Sequence, residues 1–114
     1  MTDDVIGLEA LVDEQMSLAR DQPSGRHAVT LTGGRDHDLR QTVIAVAAGS
    51  ALHDHDSPGE ATLQILRGDV VFTTADAEVS LVGGDYFLIP PVRHGLRAST
   101  DAAVLLTVAT GTKA

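Results

Sequence analysis

The residues with the most chemistry in this chain are its five histidines: His27, His37, His53, His55 and His94. His53 and His55 stand two apart in A-L-H-D-H-D. On a strand, residues i and i+2 project from the same face, so both rings are expected to aim into one interior. Glu60 follows in the next turn, and His94 comes after G-D-Y-F-L-I-P-P-V-R. A strand starting at His94 puts His94, Leu96 and Ala98 on one face and turns Arg97 outward. The apolar pair marks the inner face, and His94 goes with it. Three imidazoles and one carboxylate would bind a divalent first-row metal. Fe, Ni, Cu and Zn suit imidazole nitrogen, and the carboxylate adds Mn. Positions left open for water or substrate suit such a centre to catalysis rather than to structure.

Each of these residues has a plainer reading. Asp54 and Asp56 flank the histidine pair, which would then be a solvated surface turn. His94 would be a pocket histidine that hydrogen-bonds a ligand without metal, and Glu60 a turn carboxylate. His27, and His37 in R-D-H-D-L-R, read as surface residues. Arg93 would hold a substrate carboxylate or sit solvated at the pocket mouth. No residue stands out as a general base. There is no G-x-S-x-G, P-loop or dinucleotide fingerprint.

Composition narrows the classes. A chain of 114 residues is one small domain. Sixteen acids against eight bases give a formal charge of −8. That argues against unspecific binding to nucleic acid or anionic lipid, which needs a basic face. The three aromatics, Phe72, Tyr86 and Phe87, are too few for a base-stacking strip. Without cysteine there is no disulfide, thiolate metal site or cysteine nucleophile. The start, MTDDVIGLEALVDEQ, carries acids where a signal peptide carries bases. No stretch approaches the roughly 20 apolar residues that span a bilayer. A cytoplasmic protein with no nucleic-acid or membrane partner is expected.

The elements that would position the histidines follow from periodicity. Val5, Leu8, Val12, Met16 and Ala19 share one helical face, which Leu11 and Leu18 widen, so the first 20 residues read as a helix. Asp3 and Asp4 suit its start and Arg20 its end, and Pro23 and Gly25 stop it. Residues 1–24 are thus a helix and connector, and 25–110 a β-rich unit. Strands are expected at 27–32, 39–48, 51–55, 61–67, 70–74, 77–82, 85–90, 94–99 and 102–109. This many short strands mean a sandwich or barrel. Segments 43–48 and 102–109 are apolar on both faces and should lie between two layers. The helix or a second subunit would cover the outside, and because one helix need not cover all of it, a homodimer is expected.

The combination of motifs resembles the cupin family, over about residues 40–109. The first cupin motif reads G-x5-H-x-H-x(3–4)-E-x6-G, and HDHDSPGEATLQILRG supplies His53, His55, Glu60 and Gly68. The second reads G-x5-P-x-G-x2-H-x3-N, and GDYFLIPPVRH supplies Gly84, Pro90 and His94. LQILRGDVVF is similar to the family's strand, glycine turn and returning strand. The resemblance implies an all-β, double-stranded β-helix (jelly-roll) barrel, here with one N-terminal α-helix. It also implies homodimers and a divalent metal ion (Fe, Mn, Ni, Cu or Zn) on His53, His55, His94 and Glu60. The chain departs from the pattern in places. Ala47 stands at the first motif's glycine, Val92 at the second's, and Ala98 at the terminal Asn. Seven residues separate Glu60 from Gly68, so Ala61 takes the ligand register. Glu60 then faces the centre only if a bulge near Pro58-Gly59 turns it back.

Two functions are therefore expected. One is a metal-dependent cupin acting on a small organic molecule. The other is a metal-free, ligand-binding or sensor cupin. A structural dimer with a vestigial pocket is a third.

Overall fold

The computed structural model describes residues 5–110. A helix, α1 (Leu8–Arg20), precedes nine strands. These are β1 (Arg26–Thr32), β2 (Leu39–Val46), β3 (Ala51–His55), β4 (Glu60–Arg67), β5 (Asp69–Thr73), β6 (Glu78–Val82), β7 (Tyr86–Leu88), β8 (His94–Ala98) and β9 (Ala102–Ala109). All nine expected strands form. The shortest, β7, stops before Ile89-Pro90-Pro91, where proline cannot donate to a ladder.

The helix starts later than its periodicity suggests. Gly7, in extended conformation, precedes its first turn, and glycine carries the largest backbone entropy cost of the non-proline residues inside a helix. Val5, expected on the buried face, is 74% exposed, whereas Val12, Met16 and Ala19 are buried. Leu8 and Leu18 sit at the margin of the stripe, partly exposed. Glu9 in the first turn and Arg20 in the last suit the helix dipole. Asp3 and Asp4, expected at the helix start, lie outside the described residues. No helix among the described residues is long and apolar enough to cross a membrane.

The strands form two antiparallel sheets, β1-β2-β9-β4-β7 and β3-β8-β5-β6. The first core cluster joins both sheets and includes Val46, Leu63, Ile65, Phe72, Leu96 and Val104. A second cluster joins α1 to the outer face of the five-stranded sheet: Val12, Met16 and Ala19 against Val43, Ala45, Ala103 and Leu105. This explains why β2 and β9 are apolar on both faces. Ile44 and Val104 look inward; Val43 and Leu105 look toward the helix. Each Val or Met buried there contributes about 1.5–3 kcal/mol. Gln15 is the one buried polar side chain on α1. Its Oε1 accepts a hydrogen bond from His27 Nδ1 at 2.6 Å. His27, expected at the surface, is thus half-buried under the helix.

Gly68 makes the β4–β5 turn at φ +84°, and a Cβ there would strike the Asp101 carbonyl and lie 2.9 Å from Ala102 Cα. The turn therefore requires glycine twice over, for its backbone angle and for the close approach. This hairpin sets Leu63 and Phe72 into the wall of the cavity described next.

Candidate functional site

The site lies where β3 pairs with β8. Ala51 pairs with Arg97 and Leu52 with Leu96, but the next pair is His55 with His94. Two residues, His53 and Asp54, therefore stand opposite Gly95 alone. This is a β-bulge, and one extra residue reverses the alternation of side chains beyond it. Leu52 faces the interior, and after the bulge His55 does too. His53 is left on the opposite surface, in a groove shared with Asp54, Thr73, Arg93 and Arg97. The expectation that His53 and His55 share a face is thus corrected, because their strand is not regular between them.

Gly95 permits the bulge. A Cβ on it would run into the Asp54 carboxylate, and would lie 3.1 Å from the Leu52 carbonyl and 3.3 Å from Thr73 Oγ1. The sequence carried a readable sign of this, since a glycine inside a strand marks a bulge or a close approach.

On the inner side, the His55 and His94 rings meet edge to face, with centroids 4.5 Å apart. Phe72 stacks on the His94 ring, with a centroid distance of 4.9 Å and planes 26° apart. Sequence reasoning missed Phe72, which alternation alone does not distinguish from any other core residue. His94 is 5% exposed. Its Nδ1 lies 2.8 Å from the Val92 carbonyl. A carbonyl can only accept, so Nδ1 carries a proton and Nε2 is the nitrogen left free for a ligand. His55 Nδ1 does the same toward the His53 carbonyl at 3.1 Å. Two imidazoles with one assigned tautomer thus border a common space.

That space is a cavity of about 40 Å³ between the sheets. Ile44, Leu52, Leu63, Ile89 and Leu106 line it together with the two histidines. It is apolar apart from the imidazoles, and it has room for one or two waters. His94 is sunk in the wall, while His55 lies at the exposed mouth.

The remaining candidates stand elsewhere. Glu60 opens β4 opposite Ala109. Its neighbour Ala61 is buried in the core, so Glu60 faces out, beside Thr62, Tyr86 and Leu88. Gly59, at φ +116°, makes the turn but does not bring Glu60 round. Arg93 Nη1 donates to Asp56 at 3.2 Å and Nη2 to the Asp54 carbonyl at 3.2 Å. It ties down the bulged segment. His37 is exposed between β1 and β2.

No family model matches the sequence, and none of the curated proteins matches it. Solved structures do. An RmlC-like cupin protein from Desulfovibrio desulfuricans is 26% identical, with 74% of this chain and 81% of that one covered and a TM-score of 0.64. A cupin-2 domain containing protein from Shewanella frigidimarina is 15% identical over 96% and 98% of the two chains, with a TM-score of 0.71. The chain has the fold of a small cupin. A salicylate 1,2-dioxygenase from Pseudaminobacter salicylatoxidans has a TM-score of 0.72 at 19% identity. It shares the fold, and this cupin covers 88% of itself but 33% of that chain.

The metal that the cupin motifs imply is a test of the donor set. A catalytic first-row centre ordinarily takes three or more protein ligands. This cupin brings His55 and His94 together, holds His53 on the other side of β3, and turns Glu60 outward. Among the described residues, no group of three or more His, Asp or Glu lies close enough to hold one ion. The expected four-ligand set does not fit.

Proposed function

We propose that this cupin is a small-ligand-binding protein, with His55 and His94 as the polar groups of its pocket. The observation that carries the reading is the pair itself: two imidazoles with matched tautomers, alone in an apolar cavity. Each Nε2 accepts a hydrogen bond when neutral and donates one when protonated, so the pair suits a ligand with a small polar head. Organic ligands of drug size fill about 300–1,000 Å³. Here the head alone would enter, and the rest would lie across the mouth at His55. The likeness to a salicylate dioxygenase supports the barrel and not the substrate.

A second reading keeps a metal. Metal-bound histidines commonly donate their other N–H to a backbone carbonyl, as both histidines do here. A divalent Fe, Mn, Ni, Cu or Zn ion would then have two protein ligands and would need others from water or a bound small molecule.

Elemental analysis of the untagged protein, after dialysis against each metal, separates the two. Far less than one equivalent is expected. One equivalent, lost in both His55→Ala and His94→Ala, would replace the first reading by the second. In a fragment screen by thermal shift, hits should disappear in His94→Ala. Hits indifferent to both substitutions would sink the pocket reading.

Homodimerisation belongs to the same proposal. Tyr86 and Leu88, each 64% exposed, and Leu39 at 45% lie on the five-stranded sheet, away from the strip where α1 packs. A second copy would cover them. Light scattering that returns a monomer at micromolar concentration would refute this.

A further inference from the structure

The two sheets are unpaired where β1, an edge of the five-stranded sheet, passes β3, an edge of the other. A groove of about 390 Å³ runs there, lined by Ser24, Arg26, His27, Ala28, Ile44 and Leu52. Its volume falls within the range of small-molecule sites. Arg26 spans the seam, with Nη1 donating to the Ala51 carbonyl at 3.3 Å. Among the described residues, no carboxylate lines the groove. That is unusual in a chain with sixteen acids and eight bases. Arg20, Arg67, Arg93 and Arg97 each face an acid. Arg26 is half-buried and has no acid partner among the described residues.

A half-buried charge without a partner is costly unless something compensates it. One carbonyl contact leaves most of the guanidinium fork available, and that fork matches a carboxylate in two-point geometry. The His27 Nδ1 is already engaged by Gln15, so Arg26 supplies the permanent charge of the groove. Ala28, Ile44 and Leu52 supply an apolar floor. Ile44 and Leu52 also form part of the wall of the inner cavity, so the two spaces are back to back.

We infer that the seam groove is a second binding site, selective for a small monocarboxylate with a short aliphatic tail. The carboxylate pairs with Arg26, and the tail lies on Ala28, Ile44 and Leu52. The site goes beyond the pocket at His55 and His94 and does not depend on it. The overall charge of −8 repels anions, so selectivity here comes from contact rather than from long-range attraction.

The test is an NMR titration of the full chain with sodium hexanoate and, in parallel, hexan-1-ol. Hexanoate should move the Arg26 side-chain N–H and the amides of Ser24 and Ala28 saturably, and hexanol should not. Arg26→Gln should weaken hexanoate binding about tenfold or more, and Arg26→Lys by less. The inference is overturned if the alcohol acts like the acid, if hexanoate produces no saturable shift, or if its shifts are confined to His55 and His94. It is also overturned if Arg26→Gln binds as the wild type does. Should that variant not fold, the comparison of acid and alcohol on the wild-type protein still decides. A ligand held only by the inner pocket would leave Arg26 unmoved, so failure of one site is distinct from failure of the other.

Discussion

Two strand pairs in this cupin follow opposite rules. β2 and β9 pair eight residues in unbroken register, from Leu39 with Ala109 to Val46 with Ala102. Every side chain goes where alternation sends it, inward to the core or outward to the face on which α1 packs. β3 and β8 keep register for two pairs, lose it over His53-Asp54, and resume at His55 with His94. The regular pair supports the fold. The irregular pair carries the imidazoles of the inner cavity, and its bulge chooses which histidine faces inward. Local departures from a repeating pattern place a side chain that the pattern would have sent elsewhere.

The largest effect should come from the regular side. Met16→Ala leaves a void between α1 and the β2–β9 pair, and should cost about 2–5 kcal/mol in urea unfolding. The His55 and His94 ring signals should stay in place in NMR spectra. A shift of both rings would mean that the two regions are not independent.

Next comes the bulge. Gly95→Ala forces a Cβ toward the Asp54 carboxylate, and should cost about 1–3 kcal/mol by overpacking. It should also separate the His55 and His94 rings. Asp54→Ala in the same protein should recover part of the loss, as a double-mutant cycle would show. Simple additivity of the two substitutions would count against this account of the bulge.

A smaller effect is expected at the junction between the helix and the barrel. Asp101 accepts hydrogen bonds from the Ala48 backbone N–H and from Arg20 Nε, both at 2.8 Å. The Ala48 hydrogen bond first, and then Arg20, lower its pKa below the ordinary 3.8. A lowered folded-state pKa contributes stability in full above the unfolded value, and that stability is lost as pH falls through the folded value. Asp101→Ala should therefore lower the melting temperature at neutral pH, by the equivalent of about 1 kcal/mol for exposed contacts. The difference from wild type should shrink only below about pH 3.8. A difference constant down to the most acidic conditions would remove the charge from the explanation.

The smallest effect is expected at Glu60. Since it faces outward, Glu60→Gln should change stability by no more than about 0.5 kcal/mol. It should also leave ligand or metal uptake at His55 and His94 unchanged. Loss of uptake in this variant would mean that the carboxylate reaches the pocket after all.

Much of this was legible in the residues. Val, Ile and Thr runs punctuated by Gly, Asp and Pro located all nine strands. The double-sided apolarity of 43–48 and 102–109 announced a layer outside the barrel. The count from Gly68 back to Ala61 placed Ala61, not Glu60, in the inward register, and the structure has Ala61 buried and Glu60 exposed. The helix start was less legible, because the apolar stripe runs through Gly7 while the helix does not.

What the sequence determined by itself was periodicity: which strands form, which faces are apolar, and that His94 falls on an inner face. These properties are local, set by alternation and by Gly and Pro, and they survive whatever packs around them. What only the tertiary structure decided was the meeting of His55 with His94 and Phe72, the exile of His53, and the half-burial of Arg26 at the seam between β1 and β3. Each depends on strands far apart in the chain. A bulge arises from the fit between two strands, and an unpaired charge from what the neighbouring sheet lacks; neither is a property of one segment.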